Sequence, residues 1–457
     1  MEVNVNIVNG LQKASLIMVL VSFSIAGCAP AIVDDPTPAP TIPTNPTQPS
    51  EPSMANIALS NLSRDTEPAV QPSQLDQLVG GNTAFGFDFY QAVRDQQGNL
   101  FFSPFSLSLA LAMTYAGARG ETAEQIAETL NFLLPAGQLH PAFNALDLEL
   151  ARRGAEVDDE GEMTPFQLNI ANSAWAQEGY PFLQEYLDIL ALNYGSGVYL
   201  VDYAQDAEAA RQEINDWVSE KTEGKIEDLI PEGALDFYTR LVLANAIYFK
   251  ANWLFPFVED LTKEGTFTLL NGEQVSVAMM SFSQPESLLY TRGNGYQAVE
   301  LPYAGGEVAM TILVPDQGKF GEFETSLDAE FLANILDALE YKNVELRMPK
   351  FEFETEFFLQ DVLREMGMPV AFEPGSADFS GMDGSRDLYI DEVIHKAYVG
   401  VDEEGTEAAA ATAVIMRLVS MPVTDVELDI DQPFIFVIRD IPTGTVLFMG
   451  RVLNPVQ

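Results

Sequence analysis

Cysteine and histidine are almost absent from this 457-residue chain. Cys28 is the single cysteine, which excludes an intramolecular disulfide. His140 and His395 are the two histidines, so a Cys/His metal centre is excluded as well. We therefore expect no metal and no cofactor. Stability has to come from packing, for which 47% hydrophobic residues in a chain of this length are sufficient.

Positive charge is also scarce. The chain carries 68 acidic and 23 basic residues, a net charge of −45. A field of this sign repels nucleic acid and anionic lipid headgroups and favours solubility. No cluster of Lys and Arg is dense enough to bind a heparin-like polyanion. A solvated acidic surface and the recognition of a cationic partner both stay open as explanations.

The apolar segment near the N-terminus is too short for a membrane span. Leu16–Ala26 cannot cross the hydrocarbon core of a bilayer, but it has the length of a signal-peptide core. It leads into Ile25-Ala26-Gly27-Cys28, which resembles a bacterial lipobox. We expect residues 1–27 to be a lipoprotein-type signal peptide and Cys28 to be lipidated. The protein would then be exported and held at the cell surface or envelope only through this anchor. Plain secretion with an incidental cysteine is the alternative.

A proline-rich segment follows. Eight prolines lie between Pro30 and Pro52, interleaved with Thr, Ala and Ser. Proline fixes φ and donates no hydrogen bond, so this stretch does not join a helix or sheet interior. It predicts a semi-rigid tether with a reach of roughly 70 Å at about 3.1 Å per residue. We place the tether at residues 28–74 and one globular domain at residues 75–457.

The globular domain mixes helical and strand patterns without strict alternation, which predicts an α+β fold. Ser103-Pro104 is typical of a helix start. Leu241–Phe249 is too continuously apolar for a half-exposed strand and fits a central strand covered on both faces. The other predicted elements are helices at residues 123–130, 180–192 and 207–218, and strands at 297–301, 308–314, 344–353, 435–438 and 448–452.

Catalytic motifs are missing. The sequence contains no Gly-x-Ser-x-Gly elbow, no phosphate-binding glycine loop and no HExxH helix. Neither histidine lies in a recognisable catalytic setting. These absences disfavour an enzyme.

The most informative segment is Asp402–Pro422. After Gly405 it runs for sixteen residues without Gly or Pro. Alternate residues from Thr406 to Leu418 are all small or apolar, and the two charges, on Glu407 and Arg417, fall on the other parity. Because side chains alternate across a strand, this segment could enter a sheet without burying a charge. An alanine-rich helix is the competing interpretation of the same residues.

This segment resembles the hinge and reactive-centre loop of inhibitory serpins, and further motifs extend the resemblance over residues 77–457. Asn99-Leu-Phe-Phe-Ser-Pro-Phe-Ser106 is similar to the family's helix entry behind the main sheet. The run from Leu241 to Trp253 resembles its central strand. Asp431-Gln-Pro-Phe-Ile-Phe436 and Phe448-Met-Gly-Arg-Val-Leu-Asn-Pro455 resemble its C-terminal signatures.

The resemblance implies a serpin fold, with large mixed sheets, surrounding helices and an exposed reactive-centre loop at about residues 403–422. It also implies a monomeric inhibitor that a serine-type protease cleaves and acylates, after which the cleaved loop inserts into the main sheet. The implied hinge consists of Glu403, Glu404, Gly405, Thr406, Glu407, Ala408, Ala409, Ala410 and Ala411.

The implied reactive bond joins Val419 and Ser420, fourteen residues past Gly405. Valine before that bond suggests an elastase-like target. Cleavage after Leu418 would suggest a chymotrypsin-like target, and cleavage after Arg417 a trypsin-like one. The family also implies a polar cluster where the main sheet opens. We assign Ser103, Ser106, Asn245, Trp253 and His395 to it.

Two other functions compete with inhibition. A non-inhibitory serpin that serves as a binding or carrier module would be expected to have bulky or charged residues at the buried parity of the hinge. A lipoprotein hydrolase would need a histidine or metal constellation.

Overall fold

The computed structural model describes residues 56–153, 166–406 and 423–456. The predicted signal peptide, Cys28 and residues 28–55 of the predicted tether lie outside these ranges, as does most of the predicted reactive-centre loop. Among the described residues, no helix has the length and apolarity needed to cross a membrane.

Within the described ranges the chain forms ten α-helices. They are α1 (Pro72–Val93), α2 (Pro104–Tyr115), α3 (Gly120–Thr129), α4 (Ala136–Leu150), α5 (Gln184–Tyr194), α6 (Tyr203–Lys221), α7 (Phe320–Ser326), α8 (Ala329–Asp337), α9 (Gln360–Met366) and α10 (Ser380–Asp383).

The same ranges contain seventeen strands. They are β1 (Asn56–Ala58), β2 (Leu100–Phe102), β3 (Phe166–Gln177), β4 (Val198–Val201), β5 (Leu241–Asn252), β6 (Lys263–Thr268), β7 (Gln274–Ser281), β8 (Glu286–Gly293), β9 (Tyr296–Pro302), β10 (Val308–Pro315), β11 (Glu340–Pro349), β12 (Phe351–Phe358), β13 (Glu392–Val401), β14 (Gly405–Thr406), β15 (Val426–Asp429), β16 (Phe434–Asp440) and β17 (Val446–Val452).

The strands form two mixed sheets. The main sheet has seven strands in the order β1-β4-β3-β5-β14-β13-β12, and β5 also pairs directly with β13. The second sheet has the order β2-β17-β16-β10-β9-β8-β11-β7-β6, and β15 pairs with β11. Most pairs are antiparallel, but β3–β4, β5–β13 and β11–β15 are parallel. Helices and mixed sheets in this irregular order are the predicted α+β class.

The central-strand prediction corresponds to β5, whose first nine residues are all buried. Strand β3 pairs along one edge of β5 and β13 along the other. One face of β5 packs under helix α6, where Val242, Ala244 and Ala246 join an apolar cluster with residues of that helix. The continuous hydrophobicity of β5 therefore reflects burial on both faces, as expected for a strand inside a covered sheet.

Most predicted helices and strands differ from the structure only by a few residues at their ends, but two predictions differ by more. The single strand expected at 344–353 is two strands, β11 and β12, separated at Lys350. The tether expected at 28–74 does not extend through residues 56–74, because Asn56–Ala58 pairs with β4 and helix α1 begins at Pro72. Backbone pairing with the sheet edge orders Asn56–Ala58, although the sequence around it has no marked hydrophobic periodicity.

The motifs at the two ends of the domain lie against each other. Strand β2 pairs with β17. The side chain of Asn99 accepts hydrogen bonds from the N–H groups of Leu453 and Asn454 (2.8 and 3.0 Å). The buried guanidinium of Arg451 donates to the carbonyl oxygens of Arg94 and Gly98. Helix α2, which follows β2, is thereby fixed against the second sheet and beneath the main one.

Candidate functional site

The seam between β5 and β13 divides the main sheet. The two strands run parallel and pair over six positions, Val242–Ile247 with Glu392–Ala397. Farther along, β14 lies between them: Gly405–Thr406 is antiparallel to Ala251–Asn252 of β5, and Thr406 also pairs with Val401 of β13. The sheet is therefore closed at one end of the seam and already parted by two hinge residues at the other.

Four of the five residues assigned to the sheet-opening cluster meet across this seam. Ser103 caps helix α2, because its Oγ accepts a hydrogen bond from the N–H of Ser106 (3.1 Å). Asn245 on β5 is the register partner of His395 on β13. All four side chains are fully buried. The cluster thus brings one helix terminus and both strands of the seam together.

The hydrogen bonds of the cluster connect these three elements. The amide nitrogen of Asn245 donates to the carbonyl oxygen and the hydroxyl of Ser106 (2.9 and 2.8 Å). The N–H of Ser103 donates to Nε2 of His395 (3.2 Å). Nδ1 of His395 therefore carries the ring proton and donates to Oδ1 of Asn245. Separating β5 from β13 requires these buried groups to exchange partners, which is costly when no replacement is at hand.

His395 is held in its neutral form. Burial lowers its pKa from 6.5 to about 3, and the hydrogen bond with Asn245 opposes that shift. The ring of Phe357 stacks on it, with centroids 6.1 Å apart. A second proton on the ring would point from Nε2 at the N–H of Ser103 and remove that hydrogen bond. The connection between helix α2 and β13 therefore depends on a neutral imidazole.

Trp253 is not part of this cluster, which corrects its assignment. It lies eight residues beyond Asn245 along an extended chain, a distance of about 26 Å at a rise of about 3.3 Å per residue. There its ring stacks on Tyr303 with centroids 4.5 Å apart. Its Nε1 donates to the carbonyl oxygen of Asp402 (3.0 Å). Trp253 therefore supports the hinge at the parted end of the seam.

An ion pair anchors the start of the hinge. Nζ of Lys350 lies 2.5 Å from Oε2 of Glu403, and the hydroxyl of Thr262 donates to Oε1 of the same carboxylate (2.6 Å). Burial raises the pKa of Glu403, but the hydrogen bonds from Lys350 and Thr262 outweigh burial, and the pKa lies below its usual value. The Glu403 carbonyl oxygen also accepts from the N–H of Phe257 (2.8 Å). Glu403 is thereby tied to the second sheet through β11–β12 and the β5–β6 connection.

Residue 405 of the hinge has to be glycine. A Cβ at Gly405 would overlap the carbonyl oxygen of Ala251, because β14 approaches the backbone of β5 so closely. Oδ1 of Asp402 accepts from the N–H of Gly405 (3.2 Å) and shapes the turn that leads into β14. Thr406 is buried, and its hydroxyl is hydrogen-bonded to that of Tyr303 (2.6 Å).

The remaining predicted site residues lie outside the described ranges. They are the hinge residues Glu407, Ala408, Ala409, Ala410 and Ala411, the predicted reactive bond Val419–Ser420, the alternative residues Arg417 and Leu418, and Cys28.

Several residues of the site could not be predicted from the sequence. Asn172 on β3 accepts hydrogen bonds from Ser106 and Asn245 and donates to the carbonyl oxygen of Ser106 (3.1 Å). A lone asparagine in an apolar strand is a weak signal, and no strand was predicted there. Lys350 and Tyr303 were missed because their partners in the hinge are more than fifty residues away along the chain.

Comparisons with known proteins agree with this geometry. The family model described as Serpin (serine protease inhibitor) matches residues 80–455. An uncharacterized serpin-like protein of Thermococcus kodakarensis is 40% identical over 87% of this chain and 90% of its own length. The leukocyte elastase inhibitors of Mus musculus (inhibitor A) and Homo sapiens are 38% and 36% identical, each over 83% of this chain and 100% of the relative. The crystal structure of uncleaved ovalbumin superimposes with a TM-score of 0.73 at 27% identity, over 83% of this chain and 100% of ovalbumin. The predicted serpin fold is confirmed.

The neutral state of His395 predicts a pH-dependent stability. Burial also lowers the pKa of His140, to about 4. Below pH 6.5 both histidines take up a proton in the unfolded chain but not in the native one, so the free energy of unfolding falls as the pH falls. Each contributes a slope of about 1.4 kcal/mol per pH unit once the pH is well below 6.5. In His395→Gln we expect the slope between pH 6 and 5 to decrease by about that amount.

Urea unfolding followed at several pH values measures this slope. Comparison with the parent protein cancels the carboxylates, which are common to both chains. His140→Gln, away from the seam, is the matched variant, and its pH slope of the unfolding free energy should decrease by a similar amount. Equal slopes in His395→Gln and the parent would show that His395 is not held neutral.

Proposed function

This chain belongs to the serpin family of serine protease inhibitors, and from that premise we propose that it traps a serine-type protease as a suicide substrate. The protease attacks the reactive-centre loop and becomes esterified to it. The cleaved loop then inserts between β5 and β13 and carries the acylated protease with it before hydrolysis of the ester. The inhibitor is consumed in the process and is not a catalyst.

The register of β14 is the observation that supports this proposal. Gly405–Thr406 pairs antiparallel with Ala251–Asn252 of β5, and Thr406 also pairs antiparallel with Val401 of β13. The register between β5 and β13 places Ala251 and Val401 at the same level. Continuing the same register, each further loop residue moves one residue back along both strands. In an inserted loop that kept this register, Thr412, six residues past Thr406, would come level with Asn245 and His395. The flanking strands need to separate sideways but do not need to slide.

In an inserted strand, alternate side chains of the loop would face opposite sides of the main sheet, and each set suits the side that it would face. Every second residue, counted from Thr406, would face the core that contains Ala251, Phe249 and Ile247. Small or apolar side chains suit this face. Glu407 would face the other way, level with the half-buried Lys250. This arrangement places the charge of Glu407 beside an opposite charge and keeps the inner face free of charge.

Hydrogen bonding makes insertion favourable. The parallel β5–β13 ladder covers six residue pairs. An inserted strand from Glu407 to Met416 would replace it with antiparallel ladders on both sides, about ten new residues at roughly 1 kcal/mol net per hydrogen bond. In the polar cluster, the Thr412 hydroxyl would offer a donor and an acceptor where Asn245 and His395 separate.

We propose an elastase-like target and a reactive bond between Val419 and Ser420. A small aliphatic residue before the bond suits an elastase-type pocket, and several relatives are named leukocyte elastase inhibitors. Leu418 and Arg417 are the alternatives, for chymotrypsin-like and trypsin-like targets.

Incubation with elastase, chymotrypsin and trypsin tests this function. We expect a covalent complex with elastase that survives SDS, and a released C-terminal peptide that begins at Ser420. A peptide that begins at Val419 or Leu418 would move the bond to Leu418 or Arg417. Elastase whose active-site serine is blocked is the control and should form no complex. Clipping without a complex would instead indicate a non-inhibitory serpin, and turnover of a small ester would indicate an enzyme.

Ala410→Arg tests whether the inner face of the inserted strand has to be free of charge. In the inserted strand this position would be level with Ile247 and Ala397, both fully buried. An unpaired charge there costs several kcal/mol, and each ~1.4 kcal/mol on the barrier slows insertion tenfold. We expect more inhibitor to be clipped per protease trapped. Glu407→Arg, on the outer face, is the matched control. Its charge would lie beside the half-buried Lys250, where solvent screens the repulsion, so we expect a much smaller effect. An unchanged stoichiometry in Ala410→Arg would refute the inserted register.

We also propose that the chain is exported and anchored through lipid on Cys28, as the lipobox-like motif suggests. Expressed in a bacterial host, the parent should incorporate radioactive fatty acid, and Cys28→Ser should not. Export of an unlabelled parent protein would leave plain secretion as the explanation.

A further inference from the structure

Residues 56–71, which we call the strap, precede helix α1 and extend the main sheet by one strand. Asn56–Ala58 pairs antiparallel with Val198–Leu200 of β4, the strand that would otherwise form the sheet edge. The hydroxyl of Ser60 then donates to Asp188 of α5 (2.5 Å). The strap thus begins on the sheet and crosses over the helices that lie behind it.

Polar contacts join the middle of the strap to two helices. The guanidinium of Arg64 donates to Oδ1 of Asn144 (2.7 Å) and to Asp147 (2.5 Å), both on α4. The fully buried amide of Asn144 donates to the carbonyl oxygens of Asp65 (2.7 Å) and Leu192 (3.3 Å). The N–H of Asp65 donates to the carbonyl oxygen of Leu192 in α5 (2.9 Å). Since charge-assisted bonds to partly buried groups are the stronger ones, Arg64 is the principal anchor.

The connection between α5 and β4 is shaped to fit the strap. A Cβ at Gly197 would overlap the carbonyl oxygen of Ala58 and would also meet the side chains of Leu59 and Ile57. The three nearest atoms all belong to the strap. Gly197 has no left-handed φ, so the close approach of the strap, and not backbone strain, excludes a side chain there.

The strap lies on the side of the sheet that has to move. Strands β4, β3 and β5 are consecutive neighbours, so parting the seam displaces them together from β13. Helix α4 packs on α1, and α1 packs on β17 and α9, which belong to the stationary side. The strap is bonded both to β4 and to α4. A sideways shift of one strand spacing, about 4.8 Å, would stretch or break these contacts.

A cavity connects the strap to the polar cluster. It has a volume of about 190 Å³, and Arg64, Asp147 and Asn172 are all among the residues that line it. Asn172 is the residue of β3 that is hydrogen-bonded to Ser106 and Asn245. The Arg64 anchor on α4 and the hydrogen bonds that would break when β3 and β5 move away from α2 therefore border the same cavity.

We propose that the strap restrains the parting of the main sheet, so that its release lowers the barrier to opening of the β5–β13 seam. This inference rests on the proposed function in one respect, that the seam is where the loop enters. The restraint would keep the uncleaved protein from inserting its loop. An N-terminal segment would thus regulate a seam two strands away from its own pairing partner.

Hydrogen exchange in the intact full-length chain tests the restraint without any protease. In Gly197→Ala the strap is displaced, and we expect the amides of the seam, in Val242–Ile247 and Glu392–Ala397, to exchange roughly 10- to 100-fold faster. Amides between β10 and β16 in the second sheet should not change. Gly137→Ala is the matched control, because Gly137 is exposed on α4 and a Cβ there meets nothing.

Arg64→Met provides an independent release, since it removes the anchor and keeps an apolar side chain. Arg152→Met is its control, because that guanidinium is exposed and pairs with Glu149 at the surface. Faster exchange of the strap amides with an unchanged seam in both strap variants would overturn the proposal. Equal acceleration in the second sheet would overturn it too, since the fold as a whole would then be loosened. If the protein forms no protease complex but its seam amides still exchange faster in the strap variants, the proposed restraint stands and the proposed inhibitory function is wrong.

Discussion

A short ladder of parallel backbone hydrogen bonds between β5 and β13 is the interaction on which the rest of the structure depends. It covers six residue pairs in strands of twelve and ten residues, and two hinge residues occupy the parted end. A parallel ladder is slightly weaker per residue than an antiparallel one. In the proposed mechanism, one added antiparallel strand would stabilise this sheet further, and that difference would supply the free energy for inhibition.

Contacts in three places hold the native arrangement around this ladder. At the middle of β5, Asn245 and His395 join helix α2 to both strands through buried hydrogen bonds. At the parted end, the Glu403–Lys350 ion pair fixes the point from which the loop departs. At the sheet edge the strap adds contacts to α4. Each contact stabilises the native arrangement, and the proposed inserted strand would enter only where β5 and β13 part.

Several features could be predicted from the sequence because they are local. The serine and proline at residues 103–104 start helix α2, and the unbroken apolar run of β5 identified a strand buried on both faces. The family motifs group Ser103, Ser106, Asn245 and His395, and the structure brings their side chains together. Trp253 was grouped wrongly, because motif proximity in sequence does not measure distance along an extended strand. Asn172 and Lys350 were missed, since their partners lie far away in the chain.

By itself, the sequence determined the class of fold, the family motifs and the alternation of small and charged residues in the loop, because periodicity and composition are properties of neighbouring residues. Only the tertiary structure decided which strands flank the hinge, that these strands share one register, and that residues 56–71 belong to the folded body. Those facts depend on pairing between segments separated by a hundred residues or more, such as Asn245 with His395 and Asn56 with Leu200. Pairing of that kind is set by global packing and leaves no signal in either segment alone.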